Sequence, residues 1–97
     1  MSAAYTFSER VVVEPDVLSR VVGDETVILN LKTERYLGLN DTATRMWTVL
    51  GAARTIQEAY EALLAEFEVG PEELKDDLHA LIDAMLEHRL IAIVPAE

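Results

Sequence analysis

Ninety-seven residues allow one domain with one modest hydrophobic core and exclude a deep cleft between two lobes. The chain is 51% apolar and 27% charged, the composition of a folded domain, and it has no cysteine, which removes disulfides, thiolate metal sites and cysteine nucleophiles and fits a reducing, cytoplasmic setting. Eighteen acids against eight bases give a net charge of −10, a sign that repels phosphate backbones and argues against nucleic acid as a partner.

In chain order, Met1 to Arg10 has neither the basic start nor the apolar run of a signal peptide, and residues 1–9 are read as an N-terminal tail ahead of a single domain over 10–94. Val11 to Val13 is a short β-branched run ended by Glu14-Pro15-Asp16. A second run, Val17 to Val22, meets Gly23-Asp24, a hairpin-turn dipeptide. Glu25 to Leu31 then sets Val27, Leu29 and Leu31 on one face and Ile28 and Asn30 on the other, the pattern of a strand with one face buried. Lys32-Thr33-Glu34 is a polar turn before a short strand, Arg35 to Leu39. Three sequential strands joined by tight turns imply an antiparallel meander.

The hydrophobic period then changes from that of strands to that of helices. Asn40 or Asp41 caps a helix carrying Ala43, Met46, Trp47 and Leu50, with Gly51 where it would end. Thr55 and Glu58 form a capping box for a second helix with Ile56, Ala59, Tyr60, Leu63, Leu64 and Phe67 on its apolar side. Pro71 opens a third, with Glu72-Glu73 near its positive end and His88-Arg89 finishing it at the negative end. Leu74, Leu78, Leu81, Ile82, Met85 and Leu86 are its apolar face. Leu90 to Val94 is a last short strand or a tail packed on the core, and neither it nor any other apolar stretch approaches the roughly 20 residues needed to span a bilayer. The expected fold class is α+β: a three-stranded antiparallel sheet followed by three helices, like a winged helix-turn-helix. Such a sheet has two edges, and an edge strand with free backbone groups invites a partner.

No constellation points to catalysis, a cofactor or a metal. His79 and His88 are nine apart on one helix, about 2.5 turns, and point to nearly opposite sides, so they read as exposed helix histidines. Glu72-Glu73 with Asp76-Asp77 lacks the spacing of a calcium loop and reads as a solvated acidic face. The four glycines match no phosphate-binding spacing, and Trp47 lies on an apolar stripe, where core packing accounts for it. Element order alone also suits a DNA-binding winged helix, but its recognition helix must be basic, and here the third helix is acidic. Between Glu58 and Arg89 there are ten acids and two bases, a surface that attracts a basic partner.

The run Val17-Leu18-Ser19-Arg20-Val21-Val22-Gly23-Asp24-Glu25-Thr26-Val27-Ile28-Leu29-Asn30-Leu31, then Glu34-Arg35-Tyr36-Leu37-Gly38-Leu39-Asn40 and Met46-Trp47, resembles the PqqD-like family. Arg54-Thr55-Ile56, Phe67 to Glu73 and the segment from Asp77-Leu78 to Leu90-Ile91 continue the likeness, which covers about residues 8 to 94. Members of this family are peptide chaperones, or RiPP recognition elements, that bind the leader segment of a ribosomally made precursor peptide and present it to a modifying enzyme. The resemblance implies a non-catalytic protein whose third strand takes the leader as an added strand, in a groove against the third helix. On this chain it implies a site made of Glu34, Arg35, Tyr36, Leu37 and Gly38 from the strand, and Leu74, Asp77, Leu78, Leu81 and Ala84 from the helix. Leu74, Leu78 and Leu81 would form the floor, Asp77 would accept a lysine, arginine or hydroxyl, and the small Ala84 would leave room for a bulky side chain. Where the family usually has glycine before the final Leu-Ile, this chain has Arg89. The strand wording looks closer to the lasso-peptide type, implying a transglutaminase-like leader peptidase as partner. The alternative is the pyrroloquinoline quinone type, which delivers its peptide to a radical SAM enzyme.

Overall fold

The computed structural model of the protein describes residues 5–96. In order come β1 (Glu9–Val13), β2 (Val17–Val22), β3 (Glu25–Asn30), β4 (Tyr36–Leu39), α1 (Asp41–Ala52), α2 (Ile56–Glu66), α3 (Pro71–Glu87) and β5 (Ile91–Pro95). The antiparallel meander is β2-β3-β4, while β1 and β5 pair antiparallel as a separate two-stranded sheet, Glu9 opposite Pro95 and Val13 opposite Ile91. The apolar run after the third helix is therefore a strand, and the first β-branched run belongs with it, outside the meander.

Local chemistry sets most boundaries. Val22 opposes Glu25, so Gly23-Asp24 is a two-residue hairpin loop, and Gly23 takes φ +66, which its missing Cβ permits. In the next turn the Asn30 carboxamide oxygen accepts from the Lys32 and Thr33 amides at 2.9 and 3.0 Å, the side-chain-to-backbone closure that makes asparagine a turn former. Asn40 caps α1 by accepting from the Ala43 amide, and Thr55 caps α2 by accepting from the Glu58 amide. Two expected ends move by a residue or two. The first helix runs past Gly51 to Ala52, and α3 stops at Glu87, with His88 as its cap and Arg89 in the left-handed region at φ +58.

Three apolar faces meet in the core: Met46 and Leu50 from α1, Ile56, Ala59 and Leu63 from α2, and Leu74, Leu78, Leu81, Ile82 and Met85 from α3. Each large aliphatic side chain shut in this way contributes about 1.5–3 kcal/mol. The sheet joins through the side of β3 that sequence pattern alone disfavours. Thr26, Ile28 and Asn30 are buried, whereas Val27 and Leu31 of the more apolar face are 43% and 57% exposed. The polar members of the buried face are satisfied, which lets it close. The Thr44 hydroxyl of α1 donates to Thr26 at 3.0 Å, and the Asn30 amide nitrogen donates to the Arg89 carbonyl at 2.6 Å.

The segment before β1 lies against α3. Of the tail expected over 1–9, residues 1–4 fall outside the described residues; Tyr5 is buried, and its hydroxyl stands 2.8 Å from His79 Nδ1 and donates to Asp83 at 3.3 Å. Burial first, and then the Asp83 carboxylate, push the Tyr5 hydroxyl well above the usual phenol range. The Phe7 ring also lies tilted against His79, with centroids 5.1 Å apart. The expectation of two exposed histidines is thus corrected. His79 is half-buried because the N-terminal segment folds back on it, and His88 is half-buried with Nδ1 2.9 Å from the Ala84 carbonyl.

Candidate functional site

The three-stranded sheet ends on β4, and nothing among the described residues pairs with its outer edge. Which β4 amides face outward follows from the ladder. Asn30 donates to the Arg35 carbonyl at 2.8 Å, and in an antiparallel pair every second residue bonds to the same neighbour. Leu37, opposite Ile28, and Leu39, opposite Thr26, therefore spend their backbone groups on β3, whereas Tyr36 and Gly38 turn theirs to the open side. Side chains alternate as well. Leu37 points inward and is half-buried, and Tyr36 stands 65% exposed on the outer face.

Beside this edge runs a groove lined by Glu34, Arg35, Tyr36, Leu37, Gly38 and His88. The structure brings together all five strand residues expected in a site, with Glu34 at φ +64 turning the chain into β4. The helix residues divide. Leu74, Leu78 and Leu81 are 2%, 0% and 8% exposed and sit in the core, Asp77 is exposed, and Ala84 is half-buried. None of these five lines the groove; the residue from this side that does is His88, the cap of α3. Asp77, Leu81, Ala84 and His88 follow one another at spacings of four, three and four, so they form one stripe leading away from the groove along α3. Sequence reasoning passes over His88 because nothing local marks a helix-capping histidine as groove wall; the continuation of the Asp77–Ala84 spacing by four is the one signal that could have found it.

The groove is suited to holding an extended chain. It offers alternate backbone donors and acceptors, an apolar inward side at Leu37, and an imidazole whose Nε2 is left for a guest once Nδ1–H donates to Ala84. No group of three or more metal-ligating side chains gathers among the described residues. The outer face of the sheet is a second exposed surface. Leu18, Leu29 and Tyr36 form one row across it, Arg20, Val27 and Gly38 the next, and Val22 lies beyond. Leu18, Val22 and Tyr36 are 54%, 62% and 65% exposed, an apolar patch of the kind that marks interaction surfaces.

The family model described as Coenzyme PQQ synthesis protein D (PqqD) matches residues 25–91. Among solved structures, TbiB1 in complex with the TbiA(beta) leader peptide is similar at 30% sequence identity with a TM-score of 0.71, over 81% of this chain and 92% of that one. Lasso peptide synthetase B1 complexed with the leader peptide has the same fold, at 22% identity and a TM-score of 0.72, over 86% of this chain and 98% of that one. No curated protein matches the chain.

Proposed function

The chain belongs to the PqqD family, and from that premise we propose that it binds the leader segment of a ribosomally synthesised precursor peptide by strand addition and presents it to a modifying enzyme, with no chemistry of its own. The observation that carries this reading is the open edge of β4, where the Tyr36 and Gly38 backbones turn to the unpaired side beside a groove that His88 also lines. Backbone pairing supplies affinity, and the side chains of the groove supply choice. One peptide-binding domain over 10–94 holds the site, with Glu34 to Gly38 on the strand side and the stripe Asp77, Leu81, Ala84 on the helix side. Leu74 and Leu78 support it from the core.

The 30% identical neighbour was solved with a leader peptide, which supports leader binding by this chain; on the lasso-type reading the receiving enzyme is a transglutaminase-like leader peptidase of the cytoplasm. The family description favours the other reading, delivery to a radical SAM enzyme in cofactor maturation. Either enzyme has a surface to use. The apolar outer face is continuous with the guest's edge through Tyr36, and a net charge of −10 opposes the pairing of two copies of this chain through it. Titration with the precursor peptides encoded beside the gene tests the reading: one-to-one binding is expected, and no binding to any of them overturns it. The neighbouring enzyme genes separate the two pathways.

A further inference from the structure

A second hollow lies next along the chain from the groove beside β4. Past the β3–β4 turn lies a cleft of about 730 Å³ whose walls include Glu14, Asp16, Lys32, Thr33, Glu87 and Arg89. The two hollows adjoin along the chain at a passage: Glu34, Arg35 and His88 line the groove, and their chain neighbours Lys32, Thr33, Glu87 and Arg89 line the cleft. Three turns tied to one another build the cleft. Glu14 donates its amide to the Leu90 carbonyl at 3.1 Å, Leu31 to Asp16 at 2.8 Å, and the Asn30 side chain to the Arg89 carbonyl at 2.6 Å. A hollow whose walls are already bonded together needs little ordering when it is filled.

Charge marks the passage between groove and cleft. Of the eight basic residues, Arg45 and Arg54 are paired with Glu66 and Glu58, and Lys75 lies over the Phe7 ring. Arg10 in β1 and Arg20 in β2 also make no ion pair among the described residues, but they line neither hollow. The remaining three, Lys32, Arg35 and Arg89, all stand at the passage, and none makes an ion pair among the described residues. Glu34 and Glu87 are the acids beside them, while Glu14 and Asp16 line the cleft from the β1–β2 turn. Arg89 holds its place at φ +58, where an L residue carries a backbone cost that glycine avoids.

We infer that the cleft is a second binding site for the guest peptide, occupied by the stretch that follows the paired strand and entered with a carboxylate side chain that Lys32, Arg35 and Arg89 receive. This rests on the reading that β4 accepts a guest strand. Every pairing in this sheet is antiparallel, and antiparallel addition is the stronger mode. A guest antiparallel to β4 leaves the edge at Tyr36 with its C-terminal end toward the passage.

A library of random peptides displayed on yeast and selected with the whole chain tests this. Enriched sequences are expected to carry Asp or Glu on the C-terminal side of an alternating apolar segment. Changing that acid to its amide in one enriched peptide should weaken binding to the wild-type chain by about tenfold, a typical worth of a charge-assisted contact. The same change should weaken binding to the R35Q/R89G variant by less than about twofold. R89G alone should melt no lower than wild type, since it relieves the left-handed residue, so a loss of binding there is not a loss of fold. Enriched peptides without an acid preference, or with the acid on the N-terminal side, overturn the inference and leave strand addition standing. Enriched peptides whose binding is indifferent to Gly38→Pro, or no enrichment at all, overturn both.

Discussion

Along α3 the side chains of Leu74, Leu78, Ile82 and Met85 are at most 2% exposed, whereas on the outer face of the β2–β4 sheet Leu18, Val22 and Tyr36 are more than half exposed. The two regions have similar apolar content and opposite fates. In the helical half, apolar surface is matched by α1, α2 and the β1–β5 sheet, and it holds the fold together. In the sheet half, α1 covers one face, and the other face and the outer edges of β2 and β4 have no partner strand among the described residues. Apolar surface that a domain of this size leaves unburied contributes no stability and risks aggregation, so its retention fits a binding surface.

The largest test of this contrast compares truncations in the two halves. Leu78→Ala should cost about 2–5 kcal/mol in chemical denaturation, because it opens a cavity in a closed core. Leu18→Ser should cost less than about 0.5 kcal/mol. Equal costs would erase the distinction. Within β4 the contrast narrows to adjacent residues. Gly38→Pro removes an amide that faces the groove and should weaken guest binding about tenfold or more with little change in melting temperature. Leu37→Pro removes an amide that β3 uses and should lower the melting temperature itself. The reverse pattern would put the open edge in the wrong register.

Tyr5 sharpens the comparison at the rim of the closed half. Its folded-state pKa is raised by burial and by Asp83, so the protonated form is the one the fold favours. The stability it contributes is complete below the unfolded phenol pKa of about 10 and is lost as pH rises above it. Tyr5→Phe should flatten that alkaline decline in melting temperature while leaving guest binding unchanged; an unaltered decline would show that the hydroxyl does not govern it. The smallest effect belongs to Arg45, whose Nε lies 2.7 Å from the Glu66 carboxylate on the surface of α1 and α2. The guanidinium holds that carboxyl below its ordinary range, so what the pair adds is present near neutrality and fades as pH falls through the lowered value. Arg45→Ala should shift the melting temperature barely measurably, and less still at high salt. A large shift would move part of the fold's stability to the surface.

Much of the architecture was legible in one dimension because its causes are local. Gly23-Asp24 specifies a turn by backbone freedom, Thr55 and Asn40 cap helices through amides three residues on, and the spacing of Leu74, Leu78, Ile82 and Met85 defines a buried stripe. The strand half of the candidate site was legible for the same reason, since Arg35 to Leu39 reads as a short strand with no successor to cover it. Tertiary structure alone decided the rest. Alternation in β3 says that one face is buried but not which, and that choice was made by Thr44 of α1 and by the Arg89 carbonyl, 18 and 59 residues away from their partners. Pairing β1 with β5 across nearly the whole chain, burying His79 under Tyr5, and setting His88 opposite β4 are also contacts between distant segments. Periodicity records what a residue shares with neighbours three or four positions off; it carries no information about which distant surface will arrive to cover it.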